Sequence, residues 1–275
     1  MSKLSAKGNF TLDGPQRGRT RYGAPQDSVN KRSQVILGND YEVGQGVFVL
    51  SDAERASMQF TREELELIKP YYTTAELSRY FGTSRNSYWI IYTDSSIVKQ
   101  DKIRDYPNIK KHLDQYRSII TSDNWPYGLH RSRNEFFFQG VKIISLRKCS
   151  QPTFTYTDFD CYVAQTFYII KSNRINLKFL TGLLNSRVIE FWLRHKGKMQ
   201  GYQFQIDKAP LLDIPIRQPT TEQEFAIETL VSRILQAKRI DFAVDTSDLE
   251  TEIDYLVYEL YGLTEDEIAI VEGRA

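Results

Sequence analysis

The sequence predicts an α+β fold, in which a mixed sheet with packed helices is followed by a small helical segment at the C-terminus. Short stretches rich in aromatic and β-branched residues fill the middle of the chain and are typical of strands. Apolar residues at helical spacing lie between these stretches and after them. The last part of the chain, residues 219–275, shows helical patterns alone.

Composition divides the chain into three predicted parts. Residues 1–35 are polar and basic, with several Gly and Pro and no periodicity, which favours a flexible arm or linker. A segment left from cloning or from a gene boundary is the alternative. Residues 36–218 form the predicted main domain, and residues 219–275 form an acidic helical segment.

Local signals place the elements of the first half of the main domain. Thr61 and Glu64 form a capping box, and Pro107 suits the first turn of a helix. The predicted elements, in order, are two short strands around Gly and Asn turns in residues 35–50, a helix over 61–80 that Pro70 interrupts so that a second one starts near Thr74, a strand over 87–94 and a helix over 105–120.

The second half is predicted to begin with a loop over residues 121–140. Basic residues and then Gly197 end its main helix, as suits a helix C-terminus. After the loop we expect strands at 142–148, 153–157 and 161–170, a helix that starts near Asn176 and runs to Lys196, a basic loop to Gln205, a Pro-bounded strand at 211–216, and three tail helices. These are one at 221–242, one within 245–263 that Gly262 stops, and one after Thr264.

Charge is distributed unevenly along the chain. Residues 219–275 carry 4 Lys/Arg and 14 Asp/Glu, which leaves 32 basic and 21 acidic residues on residues 1–218. The net charges are therefore −10 and +11. A basic body with an acidic tail is compatible with a polyanion that binds the body alone. An ordinary solvated surface is the alternative.

The sequence indicates neither a catalytic site nor a metal site. Cys149 and Cys161 lie in apolar strand-like stretches without metal-ligand spacing, so we expect reduced packing residues. A Gly-rich loop after a strand and an Asn-Pro-Pro-aromatic motif, which amino-methyltransferases need, are both missing. No signal peptide or membrane-spanning run is found, so a cytoplasmic protein is expected.

The loop at residues 124–133 alternates basic and aromatic residues. Trp125 and Tyr127 precede His130, Arg131 and Arg133. Arg can hold phosphates or read guanine, and an aromatic ring can pack on a sugar or an unstacked base. We therefore predict DNA contacts here. A solvated loop whose aromatic residues anchor it to the core is the alternative.

A second candidate cluster comprises Arg79, Tyr80, Arg85 and Asn86, just before a predicted strand. Arg and Asn side chains suit base edges. An ordinary helix-to-strand connection with polar side chains is the alternative.

The third candidate cluster is the basic loop after the main helix. Its cations are expected to hold phosphates, and its amide and aromatic side chains are expected to face bases, since Gln pairs well with adenine. A polar strand edge is the alternative. The cluster contains Arg194, Lys196, Lys198, Gln200, Tyr202, Gln203 and Gln205.

Several stretches, in this order, resemble the target-recognition domain of TaqI-like adenine-specific DNA methyltransferases and fused type II restriction-modification enzymes. They are GNDYEVGQGVFV at 38–49, LIKPYY at 67–72 with SRY at 78–80 and WIIY at 89–92, IRDYPNIKKHLDQY at 103–116, the stretch from 182 to 216 that ends in LLDIPI, and the tail at 249–268.

The resemblance implies a DNA-recognition module for double-stranded DNA, with the catalytic domain absent from this chain. A methyltransferase catalytic domain or subunit would then be its partner, and S-adenosylmethionine would bind there, since no cofactor is expected in this chain. Alternative hypotheses are a type I-like specificity subunit with helical spacers, a self-contained nuclease, and a protein–protein scaffold whose C-terminal helices self-associate.

Overall fold

The computed structural model describes residues 16–17, 27–129 and 132–274. Helices and strands are interspersed up to Gln205, and helices alone follow in the described residues, which confirms the α+β class. No helix in the described ranges is both long and apolar enough to cross a membrane. Of the predicted arm, residues 1–15 and 18–26 lie outside the described part.

The helices include two short 3₁₀ turns, η1 and η2. They are α1 Lys31–Leu37, α2 Asp52–Ser57, α3 Arg62–Leu65, α4 Ser96–Lys99, η1 Lys102–Asp105, α5 Pro107–Asp114, η2 Glu135–Phe137, α6 Leu177–Asn185, α7 Arg187–Lys196, α8 Lys208–Leu212, α9 Thr221–Ile240, α10 Ser247–Tyr261 and α11 Glu265–Val271.

Most strands are short. They are β1 Gln16–Arg17, β2 Val49–Ser51, β3 Ile68–Tyr72, β4 Tyr80–Phe81, β5 Tyr88–Ile91, β6 Lys142–Leu146, β7 Lys148–Cys149, β8 Phe154–Thr157, β9 Tyr162–Val163, β10 Phe167–Ile170, β11 Lys198–Gln200 and β12 Gln203–Gln205.

These strands form three sheets within the described residues. The central sheet has the order β1-β10-β6-β8-β4, the second β2-β5-β3-β9, and the small third one β11-β12-β7. Both larger sheets are mixed, because β4 runs parallel to β8 and β9 runs parallel to β3. We call the second sheet the outer sheet and the third the hairpin sheet.

The central sheet separates two hydrophobic cores. Ile143 and Tyr168 point to a core shared with α6, α7, α9 and α10, whereas Ile144 and Ile169 point to a core shared with the outer sheet and α5. Successive strand residues point to opposite faces, so this alternation shows a sheet that is covered on both sides. The order of layers is therefore helices, central sheet, outer sheet.

The N-terminal part of the main domain differs from its prediction. In place of two strands over 35–50, it has α1 and then β2. Asn30 starts α1, since its side chain accepts hydrogen bonds from the backbone N–H groups of Arg32 and Ser33. Val35 is 85% exposed, so the apolar residues that suggested a strand point to solvent instead.

The segment 61–80 also differs, because its helix ends after one turn. The capping box of Thr61 and Glu64 is present as predicted, but α3 stops at Leu65 and β3 follows. Pairing with β9 starts at Tyr71, so Pro70 can occupy β3 without breaking that ladder. The second helix predicted near Thr74 is a turn.

The predicted strand at 161–170 is two strands in different sheets. β9 belongs to the outer sheet and β10 to the central sheet, and residues 164–166 carry the chain between them. The predicted long helix is divided at Ser186, whose hydroxyl accepts a hydrogen bond from the N–H of Ile189 and so caps α7. The basic loop after it is the β11–β12 hairpin.

The predicted strand at 211–216 is wrong. α8 takes its first residues, and Ile214 and Ile216 are buried in the helical core without strand pairing. Pro215 offers no N–H for a ladder. Its carbonyl accepts a hydrogen bond of 2.6 Å from the hydroxyl of Tyr261, which holds this segment against α10.

The three predicted tail helices are present, and they share the helical core of the body. Gly182 of α6 faces Ile227 and Val231 of α9, and a Cβ on this glycine would lie 2.6 Å from Cγ2 of Ile227. Glycine therefore permits the close approach of the two helices. Because α9 and α10 contribute to the same core as α6 and α7, residue 218 is not a boundary between cores.

Asn185 joins the body to the tail. Its amide accepts from the N–H of Phe154 at 3.0 Å and donates to the carbonyl of Phe154 at 2.7 Å. Its own carbonyl accepts a hydrogen bond from Arg79, which also pairs with Glu250 of α10. One buried amide thus connects β8, α6 and, through Arg79, the tail.

Replacing Gly182 with Val should lower the free energy of unfolding by about 1–3 kcal/mol, because the added atoms collide with Ile227. Urea denaturation followed by circular dichroism measures this. Unchanged stability would contradict the close α6–α9 approach.

The buried Lys142 should make stability depend on pH. Its Nζ donates to the carbonyls of Gly140 at 2.7 Å and Phe159 at 2.5 Å, and burial lowers its pKa to about 8 from the ordinary 10.5. Between these pH values the unfolded chain binds the extra proton, so the free energy of unfolding rises with pH.

We therefore expect the stability of the wild type, relative to Lys142→Met, to rise between pH 8 and 10 by up to about 1.4 kcal/mol per pH unit. Denaturant titrations at several pH values measure this difference. A difference that does not change with pH would show that Lys142 titrates normally.

Candidate nucleic-acid interface

Strand register places several loops at one end of the outer sheet. Tyr71 of β3 lies opposite Tyr88, the first residue of β5, and Tyr72 lies beside Val163, the last residue of β9. The segments 73–75, 84–87 and 164–166 therefore all leave the sheet at this end. The hydroxyl of Tyr72 donates to the carbonyl of Ser84 at 2.8 Å, which ties the second segment to β3.

Arg147 attaches the hairpin sheet to this end. Its backbone N–H donates to the carbonyl of Thr166 at 2.9 Å, and its carbonyl accepts from the N–H of Ile206 at 2.8 Å. Its guanidinium pairs with Asp207 at 3.3 Å and lies 5.3 Å from the ring centroid of Tyr168. Arg147 thus holds residues 164–166 next to the short connection, residues 206–207, that follows β12.

A groove of about 700 Å³ lies between the outer sheet and the hairpin sheet. Tyr and Phe side chains contribute to its apolar wall. Its polar lining comes from Thr73, Thr74, Arg147, Lys148, Gln165, Thr166 and Gln205. Hydroxyl, amide and cationic groups therefore line one continuous depression.

The hairpin sheet has one polar and one apolar face. Lys198 lies opposite Gln205, which lies opposite Lys148, and Gln200 lies opposite Gln203. Side chains at such paired positions share a face. The other face carries Met199, Phe204 and Cys149, and all three pack in or against the helical core.

Hydrogen bonds order two of the glutamines on the polar face. Lys148 Nζ donates to Gln200 Oε1 at 2.9 Å, and Gln205 Nε2 donates to Asp207 Oδ2 at 3.1 Å. Tyr202, at the turn of the hairpin, is 80% exposed. We call the polar face of the hairpin sheet, the groove and the loop 84–87 the recognition row.

A second groove beside the outer sheet has the opposite charge. Its lining includes Asp27, Asp40, Glu42 and Glu54 and, among the described residues, no Lys or Arg. Hydrogen bonds from the N–H groups of Gly46 and Ser51 keep the pKa of Glu54 below its ordinary value, although burial opposes them. An anionic polymer is therefore favoured on the row and disfavoured in this groove.

The structure divides the Arg79 cluster. Arg85 is exposed and Asn86 half-buried, and both lie in the loop 84–87 of the row. Tyr80 is fully buried, so its predicted DNA contact is wrong. Arg79 pairs with Glu250 and donates to the carbonyl of Asn185. Its charge therefore holds the tail and is not available for the predicted DNA contact.

The loop 124–133 lies at the opposite end of the outer sheet. The N–H of Leu129 donates to the carbonyl of Thr93, just past the last residue of β5. Five residues of β3 separate the two ends, which is about 13 Å along the strand. The row and this loop are therefore two separate surfaces.

Individual side chains of that loop have different surroundings. Trp125 is 48% exposed and lies 4.9 Å from the guanidinium of Arg117. Tyr127 is buried and donates to Asp114 at 2.7 Å, as expected for a core anchor. Arg133 is half-buried, and its backbone is bonded to the hydroxyl of Tyr92. His130 and Arg131 lie outside the described residues.

Arg194 and Lys196 end α7 beside the hairpin. The Arg194 guanidinium lies 5.0 Å from the ring centroid of Phe204 and pairs with Glu190 at 3.2 Å, so it supports the apolar face of the hairpin sheet. Lys196 and Lys198 are exposed. Among these three cations, the two lysines can contact an incoming anion without breaking an ion pair such as that of Arg194 with Glu190.

Sequence reasoning missed part of the row. Thr73, Thr74, Gln165 and Thr166 come from two separate loops that meet because β3 runs parallel to β9. Lys148 of β7 joins them through the backbone hydrogen bonds of the preceding Arg147. The polar pair Gln165-Thr166 inside the otherwise apolar stretch 161–170 was the available signal. No group of three His, Cys, Asp or Glu residues that could hold a metal ion occurs in the described ranges.

Comparison with known proteins identifies the family. The model of the TaqI-like C-terminal specificity domain matches residues 69–216, which is more than half of the 275 residues. The chain belongs to this family. The matched range contains the recognition row and ends before α9, so the tail of this specificity domain lies outside it. No curated protein matches the chain.

A solved structure shares the fold of this specificity domain, and a second one shows a weaker similarity. The type IIL restriction-modification enzyme MmeI was solved in complex with DNA. The alignment covers 98% of this chain and 36% of the MmeI chain, with a TM-score of 0.64 and 14% sequence identity. For the type IIG restriction endonuclease BpuSI, the alignment covers 90% of this chain and 30% of the BpuSI chain, with a TM-score of 0.46 and 11% sequence identity. The chain thus spans about a third of these two enzymes.

Arg79→Ala should destabilise the specificity domain by about 1–3 kcal/mol, because it leaves Glu250 and the Asn185 carbonyl without this partner. Arg85→Ala, at an exposed site, should stay within about 0.5 kcal/mol of the wild type. Thermal and urea denaturation of both variants compare them. Equal stabilities would show that Arg79 does not hold the tail.

Proposed function

We propose that this specificity domain binds double-stranded DNA in a sequence-specific manner through the recognition row. The observation that carries this proposal is the composition of the row. It combines exposed cations with neutral hydrogen-bonding side chains on one continuous surface, and the cations Lys148 and Lys198 flank Gln205 directly across the hairpin sheet.

The chemistry of the row matches the two parts of a duplex. Lysines and exposed arginines neutralise phosphates, which supplies affinity without sequence information. Amide and hydroxyl groups can both donate and accept hydrogen bonds, so they can distinguish base edges in the major groove. Gln200, Gln203 and Gln205 are the side chains of the row best suited to base edges.

The structural relative supports DNA as the ligand. MmeI was solved with DNA bound, and almost the whole length of this chain shares the fold of part of MmeI. The acidic groove, which borders the row at Tyr71 and Thr73, adds an electrostatic argument, because it disfavours a duplex that extends from the row over its carboxylates. These two observations support a duplex that binds on the row.

The wider context is also a proposal. The module would direct a restriction-modification enzyme that methylates adenine at N6, and a catalytic domain or subunit outside this chain would bind S-adenosylmethionine. The family match and the fold shared with MmeI over about a third of that enzyme support this division of labour. No described residue needs to take part in methyl transfer under this proposal.

Selection from a randomised duplex library with the purified chain tests DNA recognition. We expect one enriched motif, bound with an affinity that falls steeply as salt rises, because cations of the row release counterions from the phosphates. The motif should outcompete a scrambled duplex by a factor of about 10³ or more. Retention of duplexes without any enriched motif would contradict sequence-specific recognition.

Lys198→Gln should weaken binding to all duplexes alike and should reduce the slope of log K against log salt by about 1. The matched control is Lys111→Gln, at an exposed position on α5 away from the row. Fluorescence anisotropy at several salt concentrations measures the slopes. An equal effect of the control would place the duplex elsewhere.

A further inference from the structure

We propose that the tip of the β11–β12 hairpin enters the major groove and that Gln203 reads adenine there. This inference rests on the proposed function, since it assumes that the row binds a duplex. It assigns one base type to one side chain and one groove to one element. Three observations support this assignment: the free hydrogen-bonding groups of Gln203, the width of the hairpin tip, and the packing of the residues next to Gln203.

The glutamines of the hairpin differ in their free hydrogen-bonding groups. Gln200 already uses its Oε1 to accept from Lys148, and Gln205 already uses an Nε2 proton to donate to Asp207. The amide of Gln203 has no hydrogen-bond partner among the described residues and is exposed. Gln203 can therefore offer its oxygen and its nitrogen together to one ligand.

An adenine base presents the matching pair of groups in the major groove. Its N6 amino group donates and its N7 accepts, at a separation that suits the two ends of an amide. Guanine presents two acceptors on the same edge, so it satisfies the Nε2 donor and leaves the Oε1 acceptor of Gln203 without a partner. Adenine is therefore the preferred partner of Gln203.

The tip is narrow enough for this groove. β12 pairs with β7 at Phe204 and Gln205, so Gln203 and the rest of the tip extend beyond the third strand as a two-stranded ribbon. Neighbouring strands lie about 4.8 Å apart, and the major groove is about 12 Å wide and admits such a ribbon. The undeformed minor groove, at about 6 Å, is too narrow for it, so binding there would require the duplex to be widened or bent.

The turn keeps the ribbon tight. Gly201 has φ of +63°, and Gln200 pairs directly with Gln203, so the hairpin has a two-residue turn with glycine at its first position. Tyr202 occupies the second position and is 80% exposed. Its ring stands at the leading end of the tip, where it can contact the sugar or base next to the adenine.

The position of Gln203 is held from below. The neighbouring Phe204 is 2% exposed, and the guanidinium of Arg194 lies 5.0 Å from its ring centroid. Across the strand pair, Gln200 is tied to Lys148. The backbone of Gln203 is thus fixed while its amide stays open, as a base-reading side chain requires.

Base preference at each position of the selected motif tests this inference. Gln203→Ala should lose discrimination at one A·T pair, by about 5- to 150-fold, and keep the preferences elsewhere. Gln203→Glu should shift the preference at that position from adenine towards cytosine, because a carboxylate accepts from the N4 amino group. Gln115→Ala, at an exposed glutamine just after α5, is the matched control.

A modified base tests the groove. Replacing the adenine by 7-deazaadenine removes N7 from the major-groove edge, so it should weaken binding by the wild type and not by Gln203→Ala. Equal weakening of both proteins would show that Gln203 does not contact N7. This would overturn the inference and leave the proposed function standing.

The remaining outcomes separate the two proposals. If no motif is enriched by the wild type, the proposed function fails and this inference fails with it. If a motif is enriched and Gln203→Ala keeps the preference at every position, the inference alone is overturned. Lost discrimination at a G·C pair would overturn the adenine assignment.

Discussion

The arrangement of the recognition row depends on the hydrogen bonds of one residue, Arg147. Its backbone connects the crossover at 164–166 to Ile206, just after β12, and its guanidinium pairs with Asp207. β6 ends one residue before it and β7 begins one residue after it. Central sheet, crossover and hairpin sheet therefore meet at this point. Without it, the groove would lose one wall and the glutamines would have no fixed position relative to Thr73 and Thr74.

Much of the architecture follows from local patterns in the sequence. The tail helices, their caps and the strands β5, β6 and β8 match simple periodicity and capping signals. Errors arose where tertiary contacts override such signals. The apolar residues of α1 face solvent, and β3 accommodates Pro70 because pairing with β9 starts one residue later. The stretch 211–216 is apolar because it is buried beneath α10, although it belongs to no sheet.

Candidate site residues were predictable by type and not by place. The glutamines and lysines of the hairpin lie together on one face, because alternate residues of β11 and β12 share that face. Arg79 has the same residue type as Arg85, yet its charge is used within the fold, where it connects Asn185 to the tail. Such a long-range ion pair leaves no local signal. The same limit hid Gln165 and Thr166, which reach the row only through the parallel pairing of β3 and β9.

The most direct test of the central claim is amide hydrogen exchange of the chain with and without its selected duplex. The account predicts that slowed exchange concentrates in segments 73–75, 84–87, 164–166 and 198–205, which form the recognition row. The loop at 122–129 should exchange at the same rate in both states, since it lies at the opposite end of the outer sheet. Protection centred on residues 122–129, with the hairpin unchanged, would contradict the account.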